Sequence, residues 1–254
     1  VLGGPNGGAV GSWGGVQNDD PVEGDYDGDG KTDLAIYRPG STAAWWIMRS
    51  SDSTYYSEPF GTTGDRPVQA DYDGDGRTDI AVFRSSSGQW HIYASTNGYY
   101  ALTYGDVSGD EPAPADFDGD GRADPAFWRP STTAFYSLNS QNSQTQTHSL
   151  GQSGTPVSGD YDGDGKADPA VFNSATGYWY VRKSTTNSVW TSPQWGAGGD
   201  IPVPNDYDAD GKCDIAIWRP ANGTWYILNS SNGSNRIVQW GASGDIPVPA
   251  FYRR

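Results

Sequence analysis

The sequence predicts an all-β chain, a β-propeller of four-stranded antiparallel blades, and three observations carry that expectation. A nine-residue acidic motif occurs five times, at steps of 46, 45, 44 and 46 residues. Between the copies lie short β-branched and aromatic runs separated by turns rich in Gly, Asn and Ser. No long stretch repeats its apolar residues every 3.6 positions, so helices should be scarce. Self-similarity at about 45 residues, with four short strands in each period, is the arithmetic of a propeller blade. Five blades is the simplest count. A six-position ring, or an open or polymerised array, is the alternative.

The fifth unit displays the elements in order. "IPVPND" (Ile201 to Asp206) reads as a short extended run that leads into the acidic motif. "DIAIWRP" (Asp214 to Pro220) is β-branched and aromatic and reads as a second strand. "ANG" turns into "TWYIL" (Thr224 to Leu228), the third strand. A second Asn-Gly turn then leads to "RIVQWG" (Arg236 to Gly241), the fourth. Second strands place Tyr37, Phe83, Trp128, Phe172 and Trp218 at one repeat position. Third strands place Trp45, Trp90, Phe135, Trp179 and Trp225 at another. Rings that recur in this way suit an inter-blade core better than a sugar-stacking platform. Fourth strands end on Gly61, Gly105, Gly151, Gly196 and Gly241, after an aromatic residue in all but the third.

Residues 1–20 form a Gly-rich segment in which "GSWG" (Gly11 to Gly14) resembles an isolated fourth strand. Residues 21–254 read as one repeat domain with units starting near 21, 67, 112, 156 and 202. A trailing first strand is expected at 245–252, where Phe251 stands in place of the motif's first Asp. Unpaired, these end strands would expose sheet edges. They are expected to pair within the ring or between chains.

The first motif is "DYDGDGKTD", Asp25 to Asp33; the others start at Asp71, Asp116, Asp160 and Asp206. Each carries four Asp and one Lys or Arg, so the five copies hold the entire net charge of −15 and the remainder is neutral. Acidity confined to five sites, beside 11 Trp and 16 Tyr, excludes an acidic disordered chain. The absence of a basic stripe excludes nucleic acid as partner. No apolar run is long enough to insert into a membrane.

Asp at positions 1, 3, 5 and 9, with Gly at 6, makes a loop for a hard cation. Calcium, which accepts six to eight oxygens in flexible geometry, suits it better than magnesium. The expected carboxylate ligands are Asp25, Asp27, Asp29 and Asp33; Asp71, Asp73, Asp75 and Asp79; Asp116, Asp118, Asp120 and Asp124; Asp160, Asp162, Asp164 and Asp168; and Asp206, Asp208, Asp210 and Asp214. Position 7, occupied by Lys31, Arg77, Arg122, Lys166 or Lys212, should contribute its backbone carbonyl while its side chain points away. About five calcium ions, one per motif, would bring the charge from −15 to −5. Ala209 replaces Gly at position 4 of the fifth motif, a change expected to matter little because Gly211 remains.

From Gly11 to Phe251 the chain resembles the FG-GAP or VCBS-type repeats of extracellular β-propellers, which include the integrin α-subunit head. The aromatic-Gly pair before each unit, "GDIPVP", "DYDGDGKTD" and "LAIYRP" carry the resemblance. It implies that the acidic loops join first and second strands and bind calcium. It further implies an extracellular or cell-surface setting, with roles in adhesion, carbohydrate recognition or as accessory domains of secreted proteins.

No catalytic motif stands out, and the chain is expected not to be an enzyme; a hydrolase or lyase is the outlying reading. His91 and His148 have no repeat counterparts and read as isolated surface residues. Glu23, Glu58, Asp65, Asp110 and Glu111 read as scattered carboxylates. Arg38, Arg84, Arg129 and Arg219 recur, with Asn173 in the fourth unit, and read as structural braces. Cys213, the sole cysteine, reads as a tolerated small residue. "NGT" at Asn222 and "NGS" at Asn232 read as hairpin turns before they read as glycan acceptors. The start, "VLGGPNGGAVG", lacks the basic and apolar regions of a signal peptide, so export would require one already removed. The expected function is a secreted, calcium-binding adhesion or binding module for a glycan or protein ligand. The alternative is a structural module or fibre subunit that self-associates through its terminal strands.

Overall fold

A computed structural model describes residues 18–105 and 109–248. They form a five-bladed β-propeller with no helix among them. Blade 1 comprises β1 (Asp20–Pro21), β2 (Leu34–Arg38), β3 (Ala44–Met48) and β4 (Tyr55–Pro59). Blade 2 comprises β5 (Asp65–Pro67), β6 (Ile80–Arg84), β7 (Gln89–Ala94) and β8 (Gly98–Thr103). In blade 3 the strands are β9 (Glu111–Pro112), β10 (Ala126–Arg129), β11 (Ala134–Leu138) and β12 (Thr145–Ser149). In blade 4 they are β13 (Thr155–Pro156), β14 (Ala170–Asn173), β15 (Tyr178–Lys183) and β16 (Ser188–Thr191). Blade 5 comprises β17 (Ile201–Pro202), β18 (Ile215–Arg219), β19 (Thr224–Leu228) and β20 (Asn235–Gln239). Every sheet is antiparallel with strands in chain order.

The first strands are shorter than the sequence suggests. In blade 5 the ladder covers Ile201 and Pro202, Val203 N–H donates once more to the Ala216 carbonyl, and a lone bridge from Asn205 to Asp214 comes next. The same bridge closes each acidic loop, as in Gly24 to Asp33 and Ala70 to Asp79. "GSWG" lies outside the described residues. The described part of the expected trailing strand, to Val248, forms no strand.

Second and third strands set their aromatic rings directly opposite one another: Tyr37 with Trp45, Phe83 with Trp90, Trp128 with Phe135, Phe172 with Trp179 and Trp218 with Trp225. In the first four blades the ring centroids are 5.3, 5.1, 4.9 and 5.0 Å apart. All ten rings are buried. Cross-strand aromatic pairs stabilise a sheet by up to about 1 kcal/mol each. Their burial makes them core, as their repetition suggests.

The blades are sealed to one another by shared cores. Ile80 and Val82 of blade 2 pack into the core of blade 1, and Val171 of blade 4 into that of blade 3. Ile215 and Ile217 of blade 5 join the core of blade 4. Among the described residues, the core of blade 5 contains only its own, Val203, Ala216, Trp218, Trp225 and Ile227. Between blades 5 and 1 lies an open cleft of about 470 Å³, lined by Trp218, Trp225 and Trp240 on one side and Leu34 and Ile36 on the other.

The recurrent arginines are braces. Arg38, Arg84, Arg129 and Arg219 each donate two hydrogen bonds, of 2.7 to 2.9 Å, to an Asp 19 residues earlier on or beside the first strand. The partners are Asp19, Asp65, Asp110 and Asp200, whose side chains are almost wholly buried. Asp65 and Asp110 are therefore not scattered carboxylates but halves of a repeated pair. Blade 4 lacks both halves, with Gly154 and Asn173 at these positions.

Candidate metal centres

Each acidic loop is a closed link between first and second strands. In the first, Asp33 N–H donates to the Gly24 carbonyl (2.7 Å), and Gly28 and Gly30 N–H donate to the two Asp25 carboxylate oxygens (2.7 and 2.9 Å). The position-6 glycines 30, 76, 121, 165 and 211 have φ between +82° and +88°, the left-handed region that glycine enters without strain.

The fold gathers three of the four expected carboxylates in every loop, with oxygens within 4.8 Å of one another. These are Asp25, Asp27 and Asp29; Asp71, Asp73 and Asp79; Asp116, Asp118 and Asp124; Asp160, Asp162 and Asp168; and Asp206, Asp208 and Asp210. The fourth is Asp33 or Asp214 in the outer loops and Asp75, Asp120 or Asp164 in the inner three. These remaining carboxylates accept hydrogen bonds from the turn between third and fourth strands. Ser50, Ser95, Ser140, Ser184 and Ser230 recur there. Each gives its N–H to the position-9 Asp at 2.6 or 2.7 Å. Each also gives its hydroxyl to the position-5 Asp at 2.7 to 2.9 Å. The linear reading passes over these serines, although their spacing from the first Asp, 24 or 25 residues, is a signal it contains.

Two features fit a cation. Asp73 Oδ1, Asp162 Oδ1 and Asp208 Oδ1 are buried without any hydrogen-bond partner. Burial, reinforced by nearby carboxylates, pushes Asp79, Asp124 and Asp168 up to about 6. Clustered hard oxygens with unfilled lone pairs are the donor set that Ca²⁺ takes. The side chain at position 7 does not simply point away, as the sequence suggests. Arg122 turns back to Asp120 Oδ2 (2.7 Å), and Lys31 to Asp29 (3.4 Å).

The loops are also joined to each other. The N–H at position 8 donates to the position-1 carbonyl of the preceding loop: Thr78 to Asp25, Ala123 to Asp71, Ala167 to Asp116 and Cys213 to Asp160, at 2.6 or 2.7 Å. The stems of Arg77, Arg122, Lys166 and Lys212 lie over Gly28, Gly74, Gly119 and Gly163 of the preceding loop, where an added Cβ would come within 2.8 to 3.0 Å. That explains glycine at position 4. Ala209 holds the same left-handed conformation, φ 63°, in the last of the five loops. Cys213 is packed in this contact, and burial pushes its thiol up to about 12, far from a reactive state.

The histidines sit on separate blades. His91 Nδ1 lies 3.0 Å from the Tyr99 hydroxyl. His148 is half-buried rather than an isolated surface residue: its Nε2 is buried, its ring stacks on Phe117, and burial lowers it to about 4.

The FG-GAP-like repeat family matches residues 25–82 and again 71–127. No curated protein matches the chain. Among solved structures, virginiamycin B lyase from Staphylococcus aureus, a catalytically inactive form with quinupristin, is similar in fold. It has a TM-score of 0.57 at 10% identity, over 92% of this chain and 72% of that one. An Agrocybe aegerita lectin specific for non-reducing terminal N-acetylglucosamine has a TM-score of 0.58 at 15% identity, over 87% of this chain and 65% of the lectin. Identities this low carry the fold alone. The loop and flanking strands matched over 25–127 recur from 116, 160 and 206, so the chain is a five-bladed propeller of one repeated blade, part of which matches the FG-GAP-like repeat model.

Proposed function

We propose that the chain is an extracellular, calcium-stabilised propeller that serves as a binding module, with glycans as the first ligand class to try. The observation that carries this reading is the set of five carboxylate trios, with buried unpartnered oxygens at Asp73, Asp162 and Asp208. Asp27, Asp73, Asp118, Asp162 and Asp208, with their position-1 neighbours, would hold the ions. A bound cation would neutralise carboxylates that otherwise repel, and so lock first, second and third strands of each blade together. Its role here is structural, and the module is not an enzyme. Because calcium is abundant outside cells, an extracellular setting suits such loops. No helix among the described residues is long and apolar enough to cross a membrane. The lectin of similar fold makes glycans a sensible starting point. The test is a glycan array probed with the purified chain in calcium and in chelator. Calcium-dependent binding supports the reading, and a blank array removes its glycan part.

The cleft between blades 5 and 1 favours a second reading, a structural subunit that associates through this seam. Trp240 there is 45% exposed, and Ile246 65%. Concentration-dependent sedimentation, with loss of oligomers in Trp240→Ser, would support it.

A further inference from the structure

The junction of blades 3 and 4 differs from its neighbours. Four loops carry Tyr at position 2, whose hydroxyl donates to the carbonyl of the valine that follows the first strand, as Tyr161 does to Val157 at 2.7 Å. The third loop has Phe117 there, stacked on His148 at 5.9 Å. Leu150 takes the place of the aromatic residue that precedes Gly in the other fourth strands. A polar cleft of about 460 Å³ opens beside these residues, lined by Asn139, Gln146, His148, Lys166, Arg182 and Lys183 among others.

Two polar atoms in the cleft are buried without partners, Asn139 Oδ1 and His148 Nε2, and Asn139 is only 3% exposed. Buried polar atoms are rarely left unpaired. Lys166, Arg182 and Lys183 form no ion pair among the described residues, whereas the four second-strand arginines are locked to aspartates. Arg182 spends two donors on Asn187 and the Ser149 carbonyl. Against these three cations the cleft lining holds one carboxylate, Asp118, and the Lys183 ammonium lies 5.4 Å from the Trp190 ring centroid, so positive charge predominates locally in a chain of net charge −15.

The two demands select a ligand. An amide oxygen accepts only, so Asn139 needs an O–H or N–H donor from the ligand. Ammonium groups donate only, so Lys166 and Lys183 need an acceptor, best an anionic one. Sulfate or a simple carboxylate meets the second demand and not the first; a neutral sugar meets the first and leaves the cations without an anion. Building on the glycan-binding reading, we infer that this cleft binds an acidic saccharide unit, its hydroxyls on Asn139 and His148 and its carboxylate on Lys166 and Lys183.

The experiment is calorimetric titration of the calcium-loaded full chain with glucuronate, glucose, acetate, inorganic phosphate and tetraglutamate. Glucuronate should bind at least about tenfold more tightly than the others, and less tightly in high salt. Asn139→Ala and Lys183→Gln should each weaken it about tenfold. Asn229→Ala, the matching change in blade 5, should leave it unaltered, and circular dichroism confirms that each variant folds. Equal binding of glucose or acetate overturns the inference. So does tighter binding of phosphate or tetraglutamate, or indifference to Asn139→Ala and Lys183→Gln. If glucuronate fails while neutral glycans bind on the array, this inference falls and the binding-module reading stands. If nothing binds in either assay, this inference and the glycan part of the reading both fall.

Discussion

The junction between blades 4 and 5 and the cleft between blades 5 and 1 use corresponding residues in opposite ways. At the first, Trp195 donates its indole N–H to the Tyr226 carbonyl of the next blade and packs with Ile215 and Ile217. Lys212 covers Gly163, and Cys213 N–H reaches the Asp160 carbonyl. At the second, Trp240 stands 45% exposed, Ala209 occupies the glycine position, and the core of blade 5 stops at its own surface. The same repeat therefore makes a sealed joint or an accessible one according to the blade packed against it. A repeat sequence fixes the shape of a blade, and neighbours decide how much of its face is core.

Chelation should have the largest effect, because it acts on all five loops. A folded-state ligand at ten times its Kd stabilises by about 1.4 kcal/mol per site. Stripping calcium should thus lower Tm by many degrees, with recovery in calcium rather than magnesium. Hydrogen exchange should rise first beside the seam and last at the inner junctions. An unchanged melting curve with metal loss verified defeats the calcium reading, and uniform exchange defeats the contrast between junctions.

Truncating the two tryptophans compares the joints directly. Trp195→Ala should cost about 3 kcal/mol in chemical denaturation, since it opens a shared core and removes the indole bond to the Tyr226 carbonyl. Trp240→Ala should cost less than about 1 kcal/mol. Equal costs would mean that the seam is sealed in solution.

Exchanging the position-4 residues tests the loop contact with a smaller signal. Gly163→Ala should lose about 1–2 kcal/mol, from a left-handed residue and displacement of the Lys212 stem. Ala209→Gly should gain up to about 1 kcal/mol, since only the conformation changes there. A neutral Gly163→Ala would show that the stem gives way without cost.

A separate effect is expected from pH in the chelated protein. Asp79, Asp124 and Asp168 lie near 6 when folded, above the usual carboxylate value, so their protonated forms favour the fold. Their contribution is complete below about pH 4 and disappears as pH rises through 6. Metal-free protein should therefore melt higher at pH 5 than at pH 7.5. With calcium present the order should reverse, because protons compete for the ligand oxygens. The same trend in both states would separate these carboxylates from the metal.

The sequence makes the repeat legible because stacking needs the same rings in every unit, and Tyr37 and Trp45 announce their counterparts. The loops are legible because their ligand types lie within nine residues. Contacts made across strands are harder to read. Asp65 and Asp110 look scattered because their arginines are 19 residues away, joined only when first and second strands pair. Ser95 and Ser140 look like ordinary turn residues until the hairpin sets them over the acidic loop. The burial of His148 is invisible in sequence, since it depends on Phe117 from the same blade's loop and on Arg182 from the next blade.

The open seam also sets how the molecule would bear load. Blades 1 and 5 both line that cleft, so tension applied between them acts there before it reaches any sealed junction. Beyond it, backbone bonds from each loop to its neighbour would give way one at a time, not together. A blade of about 45 residues releases roughly 150 Å of chain when it extends. Under flow or traction the propeller would then lengthen in equal steps, with four joints in series serving as a graded shock absorber.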